Sequence, residues 1–341
     1  MSEHKAAVGT GRGLPLVVKS RATPAPGPNE ILIQVKAIAV NPVDYIMRDM
    51  GFQVGSWPVV LGSDLSGIIV KTGSNASAGF KEGDRVLANA PAFDKKGAEN
   101  YGAFQEYALV PQEAVTPIPA DLTFQEAAIL PLAIFTTTTG YFHTLKVPRQ
   151  GYKPEDKKAM LVWGAGGSIG TVAVQVAKLL GFTVYATASK SHHTYLKQLG
   201  AHKCFDYKDT DVVTNVVNAI KEDGFVLDQV FIHLIDLLRF TNITFHWLAK
   251  VASAPFSFKM MWWKLYRWNG VAVEFVAPPE GKARDDFFQF TFNQWAKEKL
   301  AQKLLVPSPR IELVPGGLSA VQGALDKLKA GVSGIKFVVE L

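Results

Sequence analysis

A chain of 341 residues, 48% hydrophobic and 19% charged, has the length of about two domains and the composition of a packed globular protein, which excludes a disordered or fibrous chain. Its formal charge of +6 comes from scattered lysines and arginines without a basic stripe; this suffices for an anionic ligand and argues against nucleic-acid binding. The single cysteine, Cys204, excludes an intramolecular disulfide and a four-cysteine zinc site.

The first residues, "MSEHKAAVGTGRG", lack the apolar core of a secretory signal, and no stretch approaches the roughly 18 apolar residues of a membrane span. A soluble, cytoplasmic protein with no membrane contact is expected. From residue 1 to about 125, short β-type runs alternate with Gly and Pro: "ILIQVKAIAV" (31–40), "SGIIV" (66–70), "DRVLA" (84–88) and "AFQEYALV" (103–110). This spacing predicts a small antiparallel barrel or sandwich, with "TPAPGPNE" (23–30) as an ordered turn. From about 125 to 275 the periods lengthen, with a helix over 124–144, a strand over 159–163, a helix over 169–180, a strand over 182–187 and a helix over 191–200. Alternation of strand and helix predicts a parallel, doubly wound sheet. The end of the chain has a strand at "RIEL", an amphipathic helix from Leu318 to Ala330 and a closing strand, which suggests a return to the first domain.

Between two of those elements lies "LVWGAGGSIGTVAVQVAKLLG" (161–181), a strand, a glycine-rich turn and a helix. A dinucleotide phosphate needs this arrangement, because backbone amides and the positive end of the helix dipole can approach it closely. The strict GxGxxG pattern fails, since the sixth position after Gly164 is Ile169. Shifted by one, Ala165, Gly166, Gly167, Ser168, Ile169 and Gly170 give an AxGxxG form in which Gly167 admits a close backbone approach and Gly170 admits tight helix packing. An NAD site carries an acidic residue at the end of the second strand, about 20 residues on. Here "VYATASKSHH" (184–193) has no carboxylate, whereas Thr187, Ser189 and Lys190 offer hydroxyls and a cation suited to a 2′-phosphate, so NADPH is the expected cofactor.

The order "NPVDY" (41–45), "LGSDLSG" (61–67), "KEGDRVLA" (81–88), "GAFQEYALVP" (102–111), "AAILPLA" (127–133), the glycine turn and "SGIKFVVEL" resembles the medium-chain dehydrogenase/reductase superfamily. Within it, the likeness is to zinc-independent quinone oxidoreductases and the fungal trans-acting enoyl reductases of polyketide clusters. The resemblance implies an α/β chain: a GroES-like β-barrel catalytic domain (1–125 and 276–341) interrupted by a Rossmann NADP(H)-binding domain (126–275), with the active site in the cleft between them. It implies that Thr136, within "LPLAIFTTTTGYFHTL" (130–145), meets the nicotinamide end of the cofactor. It also implies that Tyr207 of "CFDYKD" sits beside the adenosine phosphate.

In zinc-dependent relatives a Cys ligand stands where this chain has "NPVDY" and a His ligand where it has "LGSDLSG". The seven histidines offer no replacement spacing, so no metal is expected, and Asp64 is read as structural. The implied reaction is hydride transfer from NADPH to an activated C=C of an enoyl thioester or enone, with a substrate that a polyketide synthase can carry. A quinone oxidoreductase, or a cofactor-binding protein without turnover, is the alternative, and the assembly is a monomer or homodimer. Charge developing on the carbonyl oxygen needs a donor, and Asn41, Asp44 and Tyr45 are the candidates, as amide donor, orienting group and proton source. Many fungal relatives carry a Lys just after the aromatic of this motif, where this chain has Ile46. The aromatic segment from Phe225 to Asn269, with "MMWWKLYRW", departs from the family pattern and reads as a remodelled pocket, a packed or partner-facing surface, or an artefact of the gene model.

Overall fold

Apolar residues at alternating positions between proline and glycine breaks make the first part of the chain a β structure. The computed structural model describes residues 3–76, 79–232 and 276–341, and the chain divides into two compact units, 1–135 with 280–341, and 136–279. The edges thus fall about ten and four residues beyond the 125 and 275 read from sequence.

In the first unit the strands are β1 (Glu3–Gly9), β2 (Val17–Ala22), β3 (Glu30–Ala39), β4 (Val59–Val60), β5 (Asp64–Thr72), β6 (Arg85–Asn89), β7 (Tyr107–Pro111) and β8 (Val115–Pro117). The centre is β3, which pairs antiparallel with β5, β7 and a strand from the far end of the chain. Its Ile31, Ile33, Val35 and Ile38 are buried. A second sheet runs β2-β1-β4. Neither β1 nor β2 is among the expected strands. The side chains of β2 are almost all exposed, so it carries no apolar alternation to read.

The stretch 124–144, expected as one helix, is three pieces. Phe124–Ala128 is a short helix closed by a capping box, in which Glu126 N–H donates to Thr123 Oγ1 at 3.2 Å and Thr123 N–H donates to Glu126 Oε2 at 3.0 Å. Pro131 cannot continue that helix, and it begins a new one at Pro131–Thr138. The last piece, Thr139–Thr144, widens to a π-helix.

The second unit carries a parallel sheet of β9 (Lys158–Trp163), β10 (Thr183–Thr187), β11 (Ala201–Phe205) and β12 (Val226–Ile232). Their order, β11-β10-β9-β12, reverses direction at β9, and ligands of open parallel sheets bind at the carboxyl ends of strands beside such a reversal. The helix Ser168–Leu179 follows β9, and Val212–Glu222 packs Val216, Ala219 and Ile220 against Tyr185 and Leu161. Beyond Ile232, the aromatic segment singled out in the sequence lies outside the described residues. No helix among the described residues is long and apolar enough to cross a membrane.

The chain then returns to the first unit. Helical segments Lys282–Phe288, Gln289–Ala296 and Lys297–Ala301 precede β13 (Arg310–Leu313), the helix Val321–Ala330 and β14 (Ile335–Glu340). β14 completes the large sheet, with Val338 opposite Ala39 of β3. The buried Thr116 of β8 donates its hydroxyl to the Phe292 carbonyl at 2.8 Å. Replacing Thr116 with Val keeps the shape and removes this hydrogen bond, so we expect a loss of about 0.5–1.5 kcal/mol in urea unfolding, with an unchanged fold by circular dichroism. An unchanged midpoint would show that this contact does not hold the returning segment.

Candidate functional site

Asn41 ends β3's run with extended backbone (φ −127°, ψ 156°), and Pro42, which has no N–H to leave unpaired, starts the helix Pro42–Met50. Asn41 N–H donates to Asp44 Oδ2 at 2.7 Å, and Asp44 N–H donates back to the Asn41 carbonyl at 3.0 Å. The Asn41 side chain turns inward: its amide donates to Asp64 Oδ2 at 2.8 Å and accepts from Lys336 Nζ through Oδ1. Lys336, on β14, also reaches Asp64 Oδ2 at 2.9 Å, while Asp64 Oδ1 accepts from Leu132 N–H at 2.7 Å. Asp64, Asn41 and Lys336 are 0%, 4% and 4% exposed, so this is an ion pair inside the protein, with its hydrogen-bonding groups engaged.

Asp44 lies beside that pair and is wholly buried, with the Asn41 and Gly62 N–H groups as the backbone donors to its carboxyl. Burial pushes its carboxyl up to about 7; the Asp64 charge adds to the rise, and Asn41 N–H and Lys336 oppose it. Two carboxylates and one ammonium would leave a net negative charge in an apolar surrounding, and a proton on Asp44 removes it. Tyr45, the next residue, is half-buried and so reaches the surface that Asn41 and Asp44 do not. Asn41 and Asp44 therefore act on the helix start from within.

In the second unit, Gly164 follows β9 with φ 76°, a conformation that favours glycine. Two bonds hold the turn to the end of β10: Gly164 N–H donates to Thr187 Oγ1 at 3.1 Å and Ala165 N–H to the Thr187 carbonyl at 2.8 Å. Thr187 is fully buried and supports the turn. Gly170 lets the helix sit close, because a Cβ there would lie 2.5 Å from Gly164 O and 2.7 Å from Ala165 Cα. A Cβ at Gly167 would meet nothing nearer than Gly164 O at 3.9 Å, so that side is open to a ligand. Gly167 caps the helix without a side chain, and the first turn, Ser168, Ile169 and Gly170, stands at the positive end of the helix dipole. The turn fits a pyrophosphate: its amides would hold the anion, and the helix dipole would favour it.

Beyond β10, Ser189 Oγ lies 3.5 Å from Tyr207 Oη, and Lys190, the next residue along the chain from Ser189, is exposed. No carboxylate occupies the loop 188–193. Thr136 is half-buried on its helix, while Thr137, Thr138 and Thr139 are buried. Burial pushes the Cys204 thiol up to about 11, and its Sγ lies 3.8 Å from the His193 carbonyl, the environment of an unreactive thiol. Among the described residues, no three His, Cys, Asp or Glu side chains converge as a metal-binding group.

These two constructions have relatives. The alcohol dehydrogenase GroES-like domain matches residues 27–120, and the zinc-binding dehydrogenase domain matches 168–233. The trans-enoyl reductase tndF of Aspergillus flavipes is 43% identical over 99% of this chain and 99% of its own length. The trans-enoyl reductase tazE of Aspergillus terreus is 47% identical over 74% of this chain and 86% of its own. The chain belongs to the medium-chain dehydrogenase/reductase family.

The fold agrees. The structure of a zinc-dependent alcohol dehydrogenase-like protein from Rhizobium etli superposes with a TM-score of 0.72 at 23% identity, covering 99% of this chain and 98% of that one. The quinone oxidoreductase from Coxiella burnetii gives 0.65 at 23%, with both chains covered fully. The first unit is therefore the GroES-like domain and the second the Rossmann-type domain. A medium-chain reductase binds a nicotinamide cofactor, and the oxidoreductase class follows. Lys336 is the residue that the sequence reading missed. Its signal is a lone cation followed by the apolar run "FVV" in the closing strand, whose central residues are all buried.

The buried carboxyl of Asp44 has a consequence for stability. The folded protein keeps that proton up to about pH 7, whereas the unfolded chain releases it near pH 4, so between these values the folded state binds the extra proton. Its contribution to stability therefore falls as pH rises from about 4 to about 7 and is level on either side. Asp44→Asn, which cannot ionise, should gain on the wild type across that window in urea unfolding. A difference between the two proteins that does not change with pH would show that Asp44 is ionised in the folded state throughout.

Proposed function

We propose that this protein is an NADPH-dependent, zinc-independent enoyl reductase that saturates a C=C conjugated to a thioester or ketone carbonyl. The observation that carries the reading is the whole-length likeness to a trans-enoyl reductase. The resemblance to enzymes of polyketide clusters suggests a substrate carried on a polyketide synthase. Bound NADPH supplies the hydride, which goes to the β carbon.

The chain's own residues do the rest. In this reading Ala165, Gly166, Gly167, Ser168, Ile169 and Gly170 cradle the pyrophosphate, and Ser189, Lys190 and Tyr207 receive the 2′-phosphate, with Thr187 supporting the turn. Thr136 meets the nicotinamide. Addition at the β carbon moves the π electrons toward the carbonyl oxygen, and the α carbon then takes a proton. Tyr45 supplies it or hydrogen-bonds the oxygen, because it is the member of Asn41, Asp44 and Tyr45 that reaches the surface. Asn41 and Asp44 position it. Asp64 is committed to Lys336, Asn41 and Leu132, which supports its reading as a structural group.

Anaerobic mixing of the protein and NADPH with an enoyl thioester, an enone or a quinone, read at the nicotinamide absorbance, tests the reading. Oxidation with the enoyl substrates supports it. Oxidation with quinone alone identifies a quinone oxidoreductase, and binding without oxidation across the panel identifies a protein without turnover.

Tyr45→Phe removes one hydroxyl and keeps the ring. Turnover should fall by about 10²–10⁴-fold, the usual size of general-acid catalysis, with NADPH affinity unchanged in a titration. Full activity in the variant would assign the proton to another source. Activity should also survive EDTA, and a loss that added zinc restores would refute zinc independence.

A further inference from the structure

We propose that His4, Gln105 and Arg21 form an acid-sensitive latch between the hairpin of β1 and β2 and the loop 99–105, which a proton added to the His4 ring loosens. His4 stands on β1 directly opposite Arg21 of β2, and both side chains meet the amide of Gln105. That amide has a fixed orientation. Its Nε2 donates to the carbonyls of Glu99 at 3.0 Å and Gly102 at 2.8 Å, so Oε1 faces the two basic side chains. Arg21 Nη1 donates to this oxygen at 2.9 Å, and His4 Nε2, 3.0 Å from it, must therefore carry the ring's proton. The other nitrogen, Nδ1, lies 3.1 Å from Thr23 Oγ1 and accepts from that hydroxyl. The neutral ring is thus satisfied at both nitrogens inside the protein, where His4 is 3% exposed and Gln105 is fully buried.

A second proton on the ring upsets this arrangement. It sets a charged imidazole opposite a guanidinium, with one amide oxygen shared between two cations. Burial holds the ring below the ordinary histidine range; the bond to Gln105 and the Glu106 carboxylate oppose the fall, and Arg21 adds to it. Glu106 is already engaged, because its Oε2 accepts from Lys5 N–H at 2.7 Å, and the Glu99 carboxylate lies 3.8 Å from Arg21 Nε. Tyr107 packs edge-on against the ring, with 5.7 Å between centroids. The latch also bears on the rest of the first unit. Ala7 N–H donates to the Phe104 carbonyl at 2.8 Å, and the Phe104 and Ala103 N–H groups donate to the carbonyls of Leu61 and Gly62, each at 2.9 Å. Gly62 N–H is in turn a donor to the Asp44 carboxyl.

The test measures hydrogen-exchange protection of β1, β2 and the loop 99–105 in the full chain from about pH 7.5 to about pH 4.5, together with nitrogen NMR of the histidine rings. A ring released to water takes its proton near pH 6.5, whereas the latched ring resists it, so the stability this site contributes is complete above about pH 6.5 and is lost as pH falls below that value. Protection in the wild type should fall there by up to about ten-fold per pH unit, one proton being linked to opening. His4→Gln, which keeps an N–H donor and cannot charge, should lose that dependence. Arg21→Gln should raise the pH at which the His4 ring titrates. The His4 ring itself, recognised by its contact with the Tyr107 ring, should carry its proton on Nε2 at neutral pH. Equal pH dependence of protection in the wild type and His4→Gln, or a His4 ring that titrates at or above the ordinary histidine value in the wild type, would overturn the latch.

Discussion

The Asp64–Lys336 ion pair, closed off from water and tied to Asn41, is the constraint on which the arrangement of the first unit's chemistry depends. A charge inside a protein is tolerated only when it is paired and its remaining lone pairs are bonded. Here the partners come from three adjoining strands of one sheet: Asp64 begins β5, Asn41 lies two residues beyond the end of β3, and Lys336 lies on β14. The pair therefore requires the last strand of the chain to be in place beside the third. It also fixes the point where β3 gives way to the helix that carries Tyr45. Buried ion pairs contribute little net stability over an apolar core, so their value here is positional.

The second unit solves a different problem. A phosphate needs bare amides, and bare amides need a turn that nothing fills. Thr187 bonds to the beginning of the turn, Gly170 brings the helix within contact distance of it, and Gly167 leaves the approach open. The loop 188–193 carries no carboxylate. In both units the candidate residues proposed above stand at strand ends, where the sheet sets the backbone direction.

Local signals were the ones that could be read. The glycine turn is contiguous, and its flanks show a strand and a helix by periodicity. The family likeness rested on motifs spread along the chain, each of them short and contiguous. Lys336 was not readable in the same way, because its meaning comes from partners 272 and 295 residues away. Thr187 looked like a ligand because its hydroxyl sits at a strand end, and only the structure shows that hydroxyl bonded to Gly164. The run 124–144 looked like one helix because its apolar residues continue through Pro131, whose missing N–H divides it. β2 stayed hidden because an exposed edge strand has no buried face to impose a pattern.

The claim that the Asp64–Lys336 pair organises the first unit is tested most directly by a double-mutant cycle on unfolding free energy, with Lys336→Met, Asp64→Asn and the two combined. Removing one partner leaves the other charge buried, so Lys336→Met should cost about 3–5 kcal/mol, and the double variant should recover part of it, giving a coupling above about 1 kcal/mol. Two losses that simply add, with no coupling, would contradict the account.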